Sequence, residues 1–264
     1  MLINGVDLNV SDSGSGSAIV FSHGLLFSGE MFRAQVAVFS DLYRCVTFDH
    51  RGQGQSEIAP DGYDLDTLAE DAATLIEQLG LAPCHFVGLS MGGMVGMRLA
   101  ARRPELLASL VLVETSAESE PRENHFKYRL LNLIARLFGL RAVVGQVMPI
   151  MFGQTFLNDP ARAEEKAFWR DHIASADKIG ITRAVNGVVG RAGVMGELGQ
   201  INLPTLIIVG EEDVATVPAK SEAVHAAIAG SKLVRIPRAG HSSPIEAPDA
   251  VNAAISSFLQ TIDS

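Results

Sequence analysis

His85-Phe86-Val87-Gly88-Leu89-Ser90-Met91-Gly92-Gly93 is the stretch that decides how this chain folds. The apolar residues up to Val87 read as a strand buried on both faces, and Met91 to Arg103 reads as a helix that stops before Pro104. Ser90 therefore falls on the turn that joins a strand to a helix. The letters G-x-S-x-G alone are weak, because a glycine-rich chain of this length shows them by chance in roughly one case in six. Position gives them weight. A side chain two residues to either side of so sharp a turn would collide with neighbouring backbone, so glycine is needed at 88 and 92. The first N–H groups of the following helix point at the same place and suit a developing oxyanion. The bland alternative is a tight turn carrying an inert serine.

Outward from this stretch the chain keeps a strand-helix rhythm. Asn4-Gly5 between two short apolar runs predicts an opening antiparallel hairpin, since both turn residues need positive φ. Ala18 to Ser22, Arg44 to Phe48 and Leu107 to Val113 read as buried strands, and Leu65 to Leu79 as a helix ended by Gly80. The rhythm stops between Thr115 and Gln200, where Phe126, Leu130, Leu133, Ile134, Leu137 and Phe138 fall at helical spacing. It resumes with Leu206 to Val209, Ala219 to Ile228, Leu233 to Ile236 and Val251 to Ile262. Connections in α/β units run about 2 to 6 residues, so an insertion of this size is a helical subdomain. The expected organisation is a core in two parts, 1–114 and 201–264, with a helical lid at 115–200 over one edge of the sheet.

A serine hydroxyl needs a base, and the base needs an orienting acid. His241 lies in Ala239-Gly240-His241-Ser242-Ser243-Pro244, a loop after a strand, where its ring can stand free. His23 and His50 also lie at strand ends. For the acid, Glu211, Glu212 and Asp213 follow one strand and Glu114 follows the preceding one, and spacing does not choose among them.

Composition removes other classes of function. The chain of 264 residues is 47% hydrophobic with 19% charged residues, enough apolar material for a large core. Its net charge of −9 has the wrong sign for binding nucleic acid. Cys45 and Cys84 are two isolated thiols, neither a disulfide framework nor a zinc site, and there is no H-E-x-x-H, so no metal is expected. Gly52-Gln53-Gly54 lacks the third glycine of a dinucleotide loop. No apolar stretch reaches the ~18 to 20 residues of a spanning helix, and the N-terminus lacks the pattern of a secretory signal, so a cytoplasmic protein without a membrane partner is expected. Met148, Met151, Phe152 and Trp169, with Leu26, are candidates for an apolar substrate pocket, against plain packing within the lid. Arg122, Lys127, Arg129, Arg136 and Arg141 could attract an anionic substrate, or form a solvated face.

The pattern resembles the α/β-hydrolase family across nearly the whole chain. The matching segments are Ser22-His23-Gly24, Asp49-His50-Arg51-Gly52-Gln53-Gly54-Gln55-Ser56, Gly88 to Gly93, Gly210 to Asp213, and Gly240-His241 followed by Glu246 and Pro248. The resemblance implies a mostly parallel sheet of eight strands flanked by helices, with the lid inserted after the sixth strand. It also implies a triad in the order Ser90, Asp213, His241, with the backbone N–H groups of Leu25 and Met91 as the oxyanion hole and no cofactor. On the same basis Glu211 and Glu212 are surface carboxylates, and His23 and Asp49 to Ser56 shape turns beside the site. Family members that open epoxides or displace halide carry Asp at the nucleophile position, and dienelactone hydrolases carry Cys, so Ser90 points away from all three. Members that favour perhydrolysis often have Pro where Leu26 stands. The chain looks like the small carboxylesterases and 3-oxoadipate enol-lactonases. The expected activity is hydrolysis of a small to medium ester or lactone. The alternatives are enol-lactone ring opening or a slow-turnover ligand-binding protein of the same fold.

Overall fold

The computed structural model describes residues 1–262, so the last two positions of the expected second core segment, 263 and 264, lie outside the described residues. The chain opens with β1 (Leu2–Ile3) and β2 (Val6–Asp7), an antiparallel hairpin turned by Asn4 and Gly5, both at positive φ. Next come β3 (Val10–Ser13), β4 (Ala18–Ser22), α1 (Arg33–Phe39), β5 (Arg44–Phe48) and α2 (Leu65–Gln78). Then follow β6 (Cys84–Leu89), α3 (Met91–Arg102) and β7 (Leu107–Val113). The main sheet runs β3-β5-β4-β6-β7 and is completed by β8 (Thr205–Gly210) and β9 (Lys232–Ile236), parallel throughout except for β3 at one edge. Among the described residues it has seven strands where eight were expected. The two-residue arms of β1 and β2 pair only with each other, and the hairpin is tied to α2 by Asn4 Nδ2 donating to Asp71 at 3.0 Å. For the same reason the insertion follows the fifth strand of the main sheet, β7, and not a sixth.

Alternation along each strand explains the two cores. In β6, Phe86 packs on one face with α2 and α3, while its neighbour Val87 packs on the other with Phe21, Val111 and Ile208. Both faces are covered, so the central strands are unbroken apolar runs. Helix α2 starts at Asp64, whose side chain accepts from the Thr67 N–H, and ends before Gly80 at positive φ.

Between β7 and β8 lie α4 (Arg122–Phe138), α5 (Val144–Met151), α6 (Gln154–Asn158), α7 (Ala163–Ser175) and α8 (Lys178–Val189). After β8 come α9 (Pro218–Ala227), α10 (Ser243–Glu246) and α11 (Pro248–Gln260). Among the described residues no helix is long and apolar enough to cross a membrane. Helix α4 departs from the sequence reading in one respect. Phe126, Leu130, Leu133, Leu137 and Phe138 are exposed, from 46% for Leu130 to 78% for Phe126, and the opposite side of the helix packs inward. Helical spacing shows that a stripe exists but not which way it faces.

Candidate active site

The candidate catalytic side chains Ser90, Asp213 and His241 follow the carboxyl ends of strands, where ligands bind in open parallel sheets. Ser90 follows β6 with φ 52° and ψ −110°, a conformation open to glycine but strained for a residue that carries a side chain. Three bonds hold it there. Ser90 N–H donates to Val113 O at 2.8 Å, while Ser90 O accepts from Thr115 Oγ1 at 2.7 Å and from Met94 N–H at 2.9 Å. A Cβ on Gly88 would run into the backbone of Gly92 and lie 2.7 Å from Gly93 N, and one on Gly92 would run into Ser22. The glycines are there because α3 and β4 approach the elbow this closely.

His241, after β9, is buried beside Asp213, after β8. Its Nδ1 lies 2.9 Å from Asp213 Oδ2 and 3.2 Å from Thr216 Oγ1. Asp213 Oδ2 also accepts from Thr216 Oγ1 at 2.7 Å, and its Oδ1 accepts from the N–H groups of Ala215 and Thr216 at 2.8 and 3.0 Å. Burial by itself raises a carboxyl pKa, but the His241 ring and the Thr216 hydrogen bonds outweigh it, and Asp213 is held below its ordinary value. Thr216 had no place in the sequence reading. The signal was available, because an aspartate whose carboxylate caps the N–H groups two and three residues on makes an Asx turn.

The rival acid and bases are placed elsewhere. Glu114 is fully buried after β7, and its Oε2 accepts from Gly210 N–H at 2.8 Å. Burial, reinforced by the neighbouring Asp213 charge, pushes its pKa well above the usual carboxylate range. His23 Nδ1 meets Gly24 O at 2.7 Å and its Nε2 accepts from His50 N–H at 2.9 Å. His50 Nε2 lies 2.8 Å from Ser22 Oγ. Burial lowers the pKa of both rings, so they are neutral parts of the frame beneath the site.

Leu25 and Met91 follow β4 and Ser90. Met91 opens α3, whose first N–H groups lack intrahelical acceptors. Leu26 has φ 75°, and its N–H donates to Gln53 Oε1 at 3.0 Å, while Gln53 Nε2 reaches Met91 Sδ at 3.7 Å. Gln53 thus ties the Leu25-Leu26 turn to the Met91 side chain at the start of α3.

Ser90 and His241 open into one cavity of about 150 Å³ roofed by α4, α5 and α8. Leu25, Leu26 and Met151 line it, with Leu131, Val147 and Ile181 among the apolar walls. Met148, Phe152 and Trp169 do not, which corrects the sequence reading. Phe152 stacks on Phe156 at 4.9 Å, Phe27 meets Phe152 and Trp169 edge-on, and Met148 belongs to the same buried cluster. These side chains join the helices between β7 and β8 to the buried cluster of the sheet, because bulky residues on a helix bury equally well against it or against a pocket. The cavity also contains an ion pair that spacing could not reveal. Arg191 lies 3.0 Å from Glu120, with side-chain exposures of 2% and 10%. Burial lowers the Arg191 pKa against the opposing pull of Glu120.

The helical segment between β7 and β8 is pinned to the two loops that carry Asp213 and His241. Glu246 accepts from Gly153 N–H at 2.9 Å, Gly240 N–H at 3.0 Å and Ser242 N–H at 3.0 Å, bracketing His241. Ser242 Oγ donates to Met151 O at 2.7 Å, and Glu212 accepts from Thr155 N–H at 2.8 Å. Glu212 is therefore half-buried and joins α6 to the loop after β8, whereas Glu211 is a surface carboxylate. Arg129 and Arg136 lie in a groove with α8, outside the cavity that holds Ser90.

A family model described as the alpha/beta hydrolase fold matches residues 17–248, and the chain belongs to that family. A 3-oxoadipate enol-lactonase of Acinetobacter baylyi is 27% identical over 257 residues, 97% of this chain and 94% of that protein. Among solved structures, the enol-lactonase from Burkholderia xenovorans superposes with a TM-score of 0.92 at 30% identity, covering 98% of this chain and 99% of its own. A thermophilic esterase from Thermogutta terrifontis has a TM-score of 0.91 at 30% identity, covering 98% and 95%.

Proposed function

We propose that this chain is a cofactor-free serine hydrolase that cleaves small to medium, largely apolar carboxylic esters or lactones. One observation carries the reading: a strained Ser90 and a His241 held by Asp213 share a single apolar cavity. Ser90 Oγ attacks the carbonyl carbon while its proton passes to His241 Nε2. Asp213 keeps the other imidazole proton on Nδ1 and stabilises the imidazolium. The Leu25 and Met91 N–H groups hold the oxyanion, and collapse of the tetrahedral adduct expels the alkoxide, which takes the proton from His241. Water, deprotonated by His241, then attacks the acyl-enzyme and frees Ser90. Residues 115–200 act as the lid that closes this cavity from solvent.

The lactonase relatives and Arg191 in the cavity wall favour a second reading, ring opening of a lactone that carries a carboxylate. The Glu120 partner already neutralises Arg191, which supports the neutral ester as the first choice. A fluorophosphonate probe tests the shared chemistry. It should label Ser90 alone, and Ser90→Ala should remove the label from a protein that melts as the wild type does. Label on another serine, or none on the folded protein, refutes the assignment. Comparing 3-oxoadipate enol-lactone with p-nitrophenyl esters then separates the two readings.

A further inference from the structure

We infer that the outer face of α4 is a docking surface for an anionic phospholipid membrane, with lipid phosphate seated in the groove between α4 and α8. Phe126, Leu130, Leu133 and Leu137 make an exposed apolar stripe along the helix, and Phe138, at its end, is 73% exposed. A contiguous patch of large apolar side chains marks an interaction surface. Charge says which kind. Residues 122–141 hold five cations and one carboxylate, in a chain whose net charge is −9.

All five cations are exposed, and among the described residues none of Arg122, Lys127, Arg129, Arg136 or Arg141 pairs with a carboxylate. Beside the stripe, Arg129, Arg136 and Arg183 line a groove of about 310 Å³ together with Asn132, Thr182 and Asn186. The two unpaired guanidinium groups of Arg129 and Arg136 suit a phosphate diester, while Arg183 is held by Ala59 O and the Tyr63 ring, and an apolar stripe flanked by cations suits the boundary between headgroups and acyl chains. A second copy of this chain fits worse. Arg122, Arg129 and Arg136 lie along one flank of the stripe and Lys127 along the other. Either two-fold pairing would set Arg129 and Arg136 against their own copies or against Lys127. The inner face of the same helix, through Leu131 and Ala135, roofs the cavity above Ser90, so a docked membrane would lie directly over the lid.

The test uses the full chain carrying Ser90→Ala, so that its outcome does not depend on hydrolysis. Co-sedimentation is measured with phosphatidylcholine vesicles and with vesicles containing about one third phosphatidylglycerol. Binding to the anionic vesicles alone, weakened by salt, is expected. Each cation near a charged surface contributes about fivefold to partitioning, so Arg129→Gln with Arg136→Gln should lower it about thirtyfold. Leu130→Ser with Leu137→Ser should lower it at least about tenfold, since neither side chain supports the core. Equal binding to both kinds of vesicle, or no change in either double variant, overturns the proposal. So does saturable binding of inorganic phosphate to the groove without vesicle binding, or a concentration-dependent dimer that Leu130→Ser disperses.

Discussion

Asp213→Asn is the substitution that best tests the site, because the surrounding donors dictate what the amide must do. The carboxylate has His241 Nδ1 and Thr216 Oγ1 on one oxygen and two backbone N–H groups on the other. If the asparagine NH₂ faced the backbone, two buried N–H donors would lose their acceptor, at about 1–3 kcal/mol each. The NH₂ must therefore face His241, which compels Nδ1 to accept and moves the ring proton to Nε2, the atom that should take the proton from Ser90. The penalty for the flipped amide, about 2–6 kcal/mol in total, is large enough to lock in this wrong tautomer. A locked tautomer costs about 10⁴-fold in turnover, close to 5.4 kcal/mol of barrier. Glu114→Gln, by contrast, replaces a buried carboxyl that bonds Gly210 N–H rather than His241 with an amide of the same shape that can keep that bond, so it should stay within about threefold of wild type. The assay is kcat/KM on p-nitrophenyl butyrate for both variants, measured beside the wild type at one pH. An Asp213→Asn enzyme within tenfold of wild type would show that Asp213 does not orient His241, and a Glu114→Gln enzyme that loses about 10⁴-fold would move that role to Glu114.

Thr216→Val removes a hydrogen bond to a buried carboxylate, typically about 1.5–3 kcal/mol, so kcat/KM should fall at least about tenfold. The depressed Asp213 pKa supplies stability that is present above its unfolded value and lost as pH falls through the folded one. The variant's weaker depression should therefore move the acid unfolding midpoint, followed by circular dichroism, to higher pH. Glu114 has the opposite sign: its raised pKa means the folded state keeps a proton that the unfolded chain releases, so stability drains away as pH rises through that window. Glu114→Gln escapes this loss, and its Tm advantage over wild type should grow from acid toward neutral pH. A cavity of about 150 Å³ is the size that accepts a benzene ring, so p-nitrophenyl esters should peak in kcat/KM at about four to six acyl carbons and decline beyond. A profile that keeps rising to long chains would mean that the roof opens further.

The sequence by itself determined the strand-helix order, the elbow at Ser90 and the loop position of His241. Each is local: apolar runs of strand length, a helix stop at Pro104, and glycines at 88 and 92 where nothing larger fits. The resemblance to a family added the choice of Asp213 over Glu114, which the spacing of carboxylates after two adjacent strands left open. Tertiary structure decided what depends on residues far apart in the chain. Arg191 meets Glu120 across 71 positions, and Gly153 meets Glu246 across 93, and no pattern in either neighbourhood announces the partner. The pocket shows the same limit. A helix's period places Phe126, Leu130, Leu133 and Leu137 on one stripe and Tyr128, Leu131 and Ala135 on another, but only the packing of α4 over the sheet turns the second stripe toward Ser90 and leaves the first facing water.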